Sequence, residues 1–332
     1  MAKVTIGITT YNRLELLKKT LETVTNQTFQ EYRIIIGNDY PNNPITFKSL
    51  DIKPNKKIKI INNKKNLGEI KNSNNILKMT TTDWFCWLSD DDKFHPDFLN
   101  QMFKILEIID DKNISAVYTN VNISSNIDIF NFNFELKEKF VLYKSKQFYR
   151  EYLNKKINLI GCYGLMKTNY LKKIKGMISL APKGNFYSDT LIPLMLIKYG
   201  KILYLKDQLI FNYNHPNSRS TLISPDDLYL AQIKFLKYMV NTMNELNFSI
   251  SDIQLFIYFR RLFFSREYIY VLTNNLFSNF FKNFLFFLNY SNKWKKYRIS
   301  SKYIIQYNVR IIFFIIKLML KKILLTIKRR LA

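Results

Sequence analysis

Val4, Ile6 and Ile8 alternate with small or polar residues over Val4 to Thr10, the two-residue period of a strand with one face on a core. Asn12 follows with Glu15 three residues on, a helix-start pattern, and Leu14, Leu17, Leu21 and Val24 then recur at helical spacing. Arg33 to Gly37 is a short β-branched run ending at Asn38-Asp39, and Lys57 to Ile61 is another after a polar loop. The pattern next predicts a helix over 70–79 and a buried strand over 83–88. A helix entered at Pro96 follows, carrying Phe98, Leu99, Met102, Leu106 and Ile109, and then a strand over 115–119. Alternation of this kind predicts a mainly parallel, Rossmann-like sheet flanked by helices, with ligands at the carboxyl ends of its strands. The polar turns at 9–12, 38–42 and 89–92 each follow a strand, so they should gather on one edge as the candidate site.

Beyond Val121 the pattern is less regular. An Asn/Phe-rich stretch is followed by a predicted helix over 145–154 and by an apolar helical run from Asp189 to Tyr199. From Ser224 onward the chain is helical in character and rich in Phe, Tyr, Ile and Lys, with no internal repeat. The reading is therefore an α/β domain over 1–220 and a helical, basic and aromatic extension over 221–332. Hydrophobic residues make up 47% of the 332, with only 8 Gly and 8 Pro, which excludes a disordered or fibrous chain. Cys86 and Cys162 sit in apolar surroundings and read as core thiols of a reducing compartment. Met1-Ala2-Lys3 leads into the first strand without a secretory pattern, so the expected location is cytoplasmic.

The formal charge of +26 is unevenly placed. Thirteen Lys and Arg, and no acid, lie between Tyr268 and Ala332, a composition that seeks an anionic partner. Residues 304–327 are dense in Ile, Leu and Phe, but Arg310, Lys317, Lys321 and Lys322 interrupt any run of the ~20 apolar residues a spanning helix needs. At helical spacing Arg310, Lys317, Lys321 and Lys328 form a narrow stripe opposite Ile311, Phe314, Ile315, Leu318 and Leu325. That is the pattern of an interfacial helix, and it predicts peripheral attachment to the anionic inner face of the cell membrane. A helix packed on the protein's own core with a solvated basic edge is the alternative.

Ser89-Asp90-Asp91-Asp92 directly follows the buried strand at 83–88. Three adjacent carboxylates repel one another unless a cation or solvent absorbs the charge, and hard oxygen ligands of this kind suit Mg2+ or Mn2+. An acidic turn that favours the following helix N-terminus is the other reading of the same residues. No Gly-x-Gly-x-x-Gly turn, P-loop lysine, nucleophile elbow or Cys/His zinc spacing is present, which removes those enzyme classes.

Four motifs in register narrow the choice. The string from Val4 to Arg13, the run Arg33 to Asp39, the turn Asn66-Leu67-Gly68 and the segment Trp87 to Pro96 together resemble family-2 glycosyltransferases with the GT-A fold, over roughly residues 3–220. The resemblance implies a metal-dependent, inverting glycosyltransferase that uses a nucleotide sugar, with a lean to UDP-sugars. It places Thr9, Tyr11, Asn12, Asp39, Asn66 and Gly68 around the nucleotide, with Asp39 as reader of the base. It also sets Asp90 toward the ribose and Asp91 on Mn2+ or Mg2+, with Asp92 kept as a third metal candidate. Asp189 falls where the family's general base stands, and a helix cap is the plain alternative. His215, in Tyr213-Asn214-His215, and Arg219 fall where the family approaches the diphosphate. The implied acceptor is a glycan or lipid-linked glycan in surface polysaccharide or lipooligosaccharide synthesis. Two other readings compete: a basic membrane- or nucleic-acid-binding protein on a non-catalytic α/β scaffold, and a nucleotidyltransferase. Acids at the strand ends would repel a polyanion, so no nucleic-acid partner is expected, and the basic glycine-rich loop of nucleotidyltransferases is missing.

Overall fold

The computed structural model describes residues 1–125, 139–182, 186–214, 224–275 and 310–311. Contacts divide the chain into two units, Met1–Leu180 with Gly184–Thr221, and Ala181–Lys183 with Leu222–Ala332.

In the first unit β1 (Val4–Thr10), α1 (Leu14–Thr25), β2 (Tyr32–Asn38), β3 (Ile58–Asn62), α2 (Glu69–Met79) and β4 (Trp84–Ser89) follow the predicted alternation. A two-residue β5 (Lys93–Phe94), α3 (Phe98–Ile109), β6 (Ile114–Ser124), β7 (Phe140–Tyr143) and α4 (Ser145–Leu153) come next. The unit ends with β8 (Leu165–Lys167), α5 (Thr168–Lys173), α6 (Ser188–Leu196) with a 3-10 turn at Ile197–Tyr199, and β9 (Lys201–Tyr213). The described strands form one nine-stranded sheet in the order β3-β2-β1-β4-β8-β6-β9-β5, with β7 also paired to β9.

β3, β2, β1 and β4 run parallel, as do β6 and β9. β8 is antiparallel to β4 and β6, and β5 and β7 are antiparallel to β9. The expected parallel sheet thus includes short antiparallel strands, too brief to show a period. Val4, Ile6, Ile8, Ile34 and Ile36 are at most 1% exposed and form the middle of the core. Leu17, Leu21 and Val24 bury the inner stripe of α1, each worth about 1.5–3 kcal/mol. Gly37 lets α2 approach β2: a Cβ there would stand 2.6 Å from Asn72 Oδ1, and Asn72 Nδ2 donates to the Gly37 carbonyl at 2.8 Å.

Two predicted helix starts shift. Asn12 does not cap α1. It adopts a left-handed backbone at φ 54°, and Arg13 takes the N-cap position without a side-chain cap bond. α3 begins at Phe98 rather than Pro96, because His95 Nδ1 accepts the Asp97 N–H at 3.0 Å and occupies the entry turn.

The second unit contains α7 (Pro225–Glu245) and α8 (Ile250–Asn275). Ser224 caps α7 by accepting the Asp227 N–H at 3.1 Å, with Pro225 in the first helical turn. Phe235 meets Phe264 edge to face at 5.6 Å, and the Arg260 guanidinium lies 5.0 Å from the Phe235 ring centre. Among the described residues no helix is long and apolar enough to cross a membrane.

Candidate active site

Parallel register brings the expected polar turns together. Thr9 of β1 stands opposite Gly37 of β2 and Ser89 of β4, and Thr10 stands opposite Asn38. A cleft of about 230 Å3 opens at these carboxyl ends. Thr9, Tyr11, Asp39, Asp90, Asp91 and Asp92 line it; Asn12 and Gly68 stand next to lining residues in the chain, and Asn66 lies three residues before the lining Glu69.

At one end, Asp39 is buried and accepts three hydrogen bonds from the protein. Its Oδ1 accepts the Leu67 N–H at 2.8 Å and Asn63 Nδ2 at 3.0 Å, and its Oδ2 accepts the Gly68 N–H at 2.8 Å. The carboxylate therefore fixes the Asn66-Leu67-Gly68 turn against β2, with Gly68 at φ 83°, a conformation that favours glycine. Asn66 Oδ1 also accepts the Gly68 N–H, at 2.9 Å. The partly exposed Tyr11 ring meets Tyr40 edge to face at 5.2 Å. Tyr11 lines the cleft, and Tyr40 packs against its ring from outside the lining.

At the other end the three consecutive aspartates separate. Asp90 Oδ2 accepts from the Thr10 hydroxyl at 2.6 Å and Oδ1 from Arg13 Nη1 at 3.2 Å. Asp91 Oδ2 pairs with the same Arg13 nitrogen at 2.6 Å, its side chain 14% exposed. Burial pushes the Asp90 carboxyl up to about 6, against the Arg13 charge and the Thr10 hydrogen bond. Burial also works against the Arg13 cation, but Asp90 and Asp91 outweigh it and hold its pKa above the ordinary value.

Asp92 points elsewhere. Its oxygens accept from Asn212 Nδ2 at 3.0 and 3.1 Å, from the Tyr213 N–H at 2.8 Å and from the Tyr163 hydroxyl. That hydroxyl also lies 2.7 Å from Ser89 Oγ, which can donate to the tyrosyl oxygen. Burial, and then the neighbouring Asp91 charge, raise the Asp92 pKa, while burial and the Asp92 charge raise that of Tyr163. Asp92, the third metal candidate, thus also bridges, as a clasp, the turn after β4, the end of β9 and the loop before β8. Among the described residues no three acidic, His or Cys side chains converge as a preformed metal cage. The donor set still fits a hard cation of the kind held by one or two carboxylates and completed by substrate phosphates.

Asp189 lies in the first turn of α6 and is half-buried, outside the cleft's lining. The backbone of Gly161 packs so closely on this turn that a Cβ there would overlap the Asp189 carbonyl. Two residues further on, Tyr163 enters the cleft, so one short loop connects Asp189 with the site. His215 and Arg219 lie outside the described residues.

Thr10, Arg13, Glu69, Asn72, Tyr163, Asn212, Tyr213 and Asn214 also line the cleft, beyond the residues expected from the sequence. Thr10 and Arg13 stand within the first motif and could have been found there. Tyr163 and Asn212 carry no local signal.

Residues 5–175 match the family model described as glycosyl transferase family 2. YwdF of Bacillus subtilis, an uncharacterized glycosyltransferase, is 36% identical over 108 residues, 32% of this chain and 40% of that protein. MJ1057 of Methanocaldococcus jannaschii, also an uncharacterized glycosyltransferase, is 30% identical over 179 residues, 52% of this chain. The match spans 58% of MJ1057, so neither relative is covered over two thirds of its length. Among solved structures, S. aureus TarS 1–349 in complex with UDP-GlcNAc superposes with a TM-score of 0.56 and 12% identity, covering 81% of each chain. The mannosyltransferase PcManGT of Pyrobaculum calidifontis, in complex with GDP-Man and Mn2+, gives 0.50 and 12% over 95% of this chain and 86% of its own.

Proposed function

We infer the reaction from one established premise: this chain belongs to glycosyl transferase family 2 and is a glycosyltransferase with the GT-A fold. It moves a sugar from a nucleotide sugar to a hydroxyl of a glycan or lipid-linked glycan, with inversion at the anomeric carbon. One observation carries this reading. The Tyr11 ring and a carboxylate–guanidinium cluster line one cleft of about 230 Å3 at the carboxyl ends of parallel strands.

Tyr11 stacks on the base, with Thr9 and Asn12 next to it. Asp39 shapes the Asn66–Gly68 turn that borders the base and presents its remaining lone pairs to a ring N–H. UDP is the favoured carrier, in line with the UDP-GlcNAc complex of TarS; the GDP-Man complex of PcManGT marks the other carrier to screen. Asp91, with Asp90, would hold Mn2+ or Mg2+ together with the donor phosphates. Such a cation supplies positive charge where the leaving diphosphate develops negative charge. Asp189 takes the proton from the acceptor hydroxyl as its oxygen attacks the anomeric carbon and the bond to the diphosphate breaks.

A thermal-shift screen of nucleoside diphosphates and nucleotide sugars, with and without Mn2+, tests the site, because a ligand bound only by the native state raises its stability. The expected outcome is a shift with UDP or a UDP-sugar that Mn2+ enlarges. No shift with any nucleotide overturns the reading. Asp189→Asn should keep nucleoside-diphosphate affinity while lowering transfer by roughly 10²–10⁴. Parallel loss of donor binding would make Asp189 a helix cap.

The basic segment 304–327, of which only 310–311 are described, attaches the enzyme to the anionic inner face of the membrane, and 1–220 and 221–332 act as catalytic and attachment parts. Truncation after Asn292 should abolish sedimentation with anionic liposomes and leave donor binding in place. A full-length protein that ignores such liposomes at low salt refutes the attachment.

A further inference from the structure

We propose that Arg13 is an internal counter-ion that competes with the divalent cation for Asp90 and Asp91 and transfers to the donor's diphosphate when it arrives, so that cation and nucleotide enter as a coupled pair. This rests on the reading of Asp91 as the cation ligand.

One guanidinium nitrogen touches both acids, at 2.6 Å from Asp91 Oδ2 and 3.2 Å from Asp90 Oδ1. Thr10 holds the other Asp90 oxygen at 2.6 Å, and the Arg13 nitrogen makes its shorter contact with Asp91. A cation approaching alone meets a positive group on its ligand. That group cannot step aside by losing a proton, because arginine stays charged at any working pH. It can only move. Its side chain is 30% exposed and lines the cleft, and it springs from the N-cap of α1 directly after the left-handed Asn12. The backbone is thus fixed while the long side chain keeps freedom.

Charge sets the coupling. Two carboxylates and one guanidinium leave a single net negative charge in this trio. A divalent cation alone inverts that charge, and a diphosphate diester alone deepens it. The two together restore it. Phosphate and carboxylate are both natural bidentate partners of arginine, so transfer to the diphosphate keeps the guanidinium paired while it frees Asp91. Arg13 is therefore a positioning residue, and its effect is on how the two ligands help each other bind.

Mn2+ binding to the full-length protein, followed through the electron paramagnetic resonance signal of the free ion, reads this directly without turnover. In wild type, UDP should tighten Mn2+ about tenfold or more, and Mn2+ should tighten UDP by the same factor, as linkage requires. Arg13→Met should bind Mn2+ alone more tightly than wild type, bind UDP alone more weakly, and lose most of the coupling. Arg13→Gln carries the same test if the Met variant does not give the folded circular-dichroism spectrum. Unchanged Mn2+ affinity and full coupling in the folded variant overturn the role of Arg13 and leave the cation site standing. If wild type fails to bind Mn2+ even with UDP, or Asp91→Asn binds it as well as wild type, the cation reading itself falls.

Discussion

The two halves of the sheet contribute to the cleft in different ways. β3, β2, β1 and β4 are parallel neighbours, and their ends deliver side chains that line the cleft: Thr9, Tyr11, Asp39, Asp90 and Asp91. β8, β6, β9, β5 and β7 mix directions, and this half delivers Tyr163, Asn212 and Tyr213, which face mainly Asp92. The parallel half presents chemistry, and the mixed half holds that chemistry in place. Asp92 is where they join, which explains how three identical neighbouring residues come to have three roles.

Substitutions on each side of that join should separate the roles. The largest effect is expected for Asp91→Asn, which should bring Mn2+-dependent turnover down by roughly 10³ or more, since a metal's stabilisation of leaving-group charge is worth several kcal/mol. Its melting temperature should stay close to wild type, because the side chain sits at the cleft rather than in the core. Persistent Mn2+-dependent turnover would erase the distinction between the halves. Asp92→Ala should show the opposite pattern. It strands the Tyr163 hydroxyl, Asn212 and the Tyr213 N–H and should cost about 2–4 kcal/mol, read as a lower midpoint in urea. A stable Asp92→Ala protein that has lost Mn2+ affinity would place Asp92 among the metal ligands. Tyr163→Phe, which removes one hydroxyl and leaves the other Asp92 donors, should cost about 1 kcal/mol, or a few degrees in melting temperature. A loss as large as that of Asp92→Ala would mean that the tyrosine, rather than the acid, is the centre of the clasp.

The same contrast explains what the sequence made legible. β1 to β4 announced themselves because each is a run of five to seven residues with a polar turn after it, and parallel register then had to collect those turns. β5 and β8 are two and three residues long, below the length at which alternation can be seen. β6 runs to Ser124, five residues beyond the predicted end, because Asn120 and Asn122 interrupt its apolar pattern while β9 still supplies its backbone partners. In the second unit the helical character was readable, but α8 places Phe256, Ile257, Tyr258, Arg260 and Arg261 among its buried residues, so no single apolar stripe identifies its packed face. The acids of the site were visible as a cluster. The separate orientation of Asp92 was not, because it depends on Tyr163 and Asn212, which lie 71 and 120 residues away.

The Asp92 clasp also orders events in time. A chain emerging from the ribosome exposes the nucleotide motifs early, yet the partners of Asp92 at the end of β9 emerge well over a hundred residues later. Until β9 pairs with β6, a carboxylate destined for burial lacks its Asn212 and Tyr213 donors, so the growing protein has reason to keep this edge open and hydrated. The stretch that identifies the family, 5–175, stops short of that strand. A fragment cut to the family's boundary would carry the recognisable motifs without the strand that turns them into a closed site.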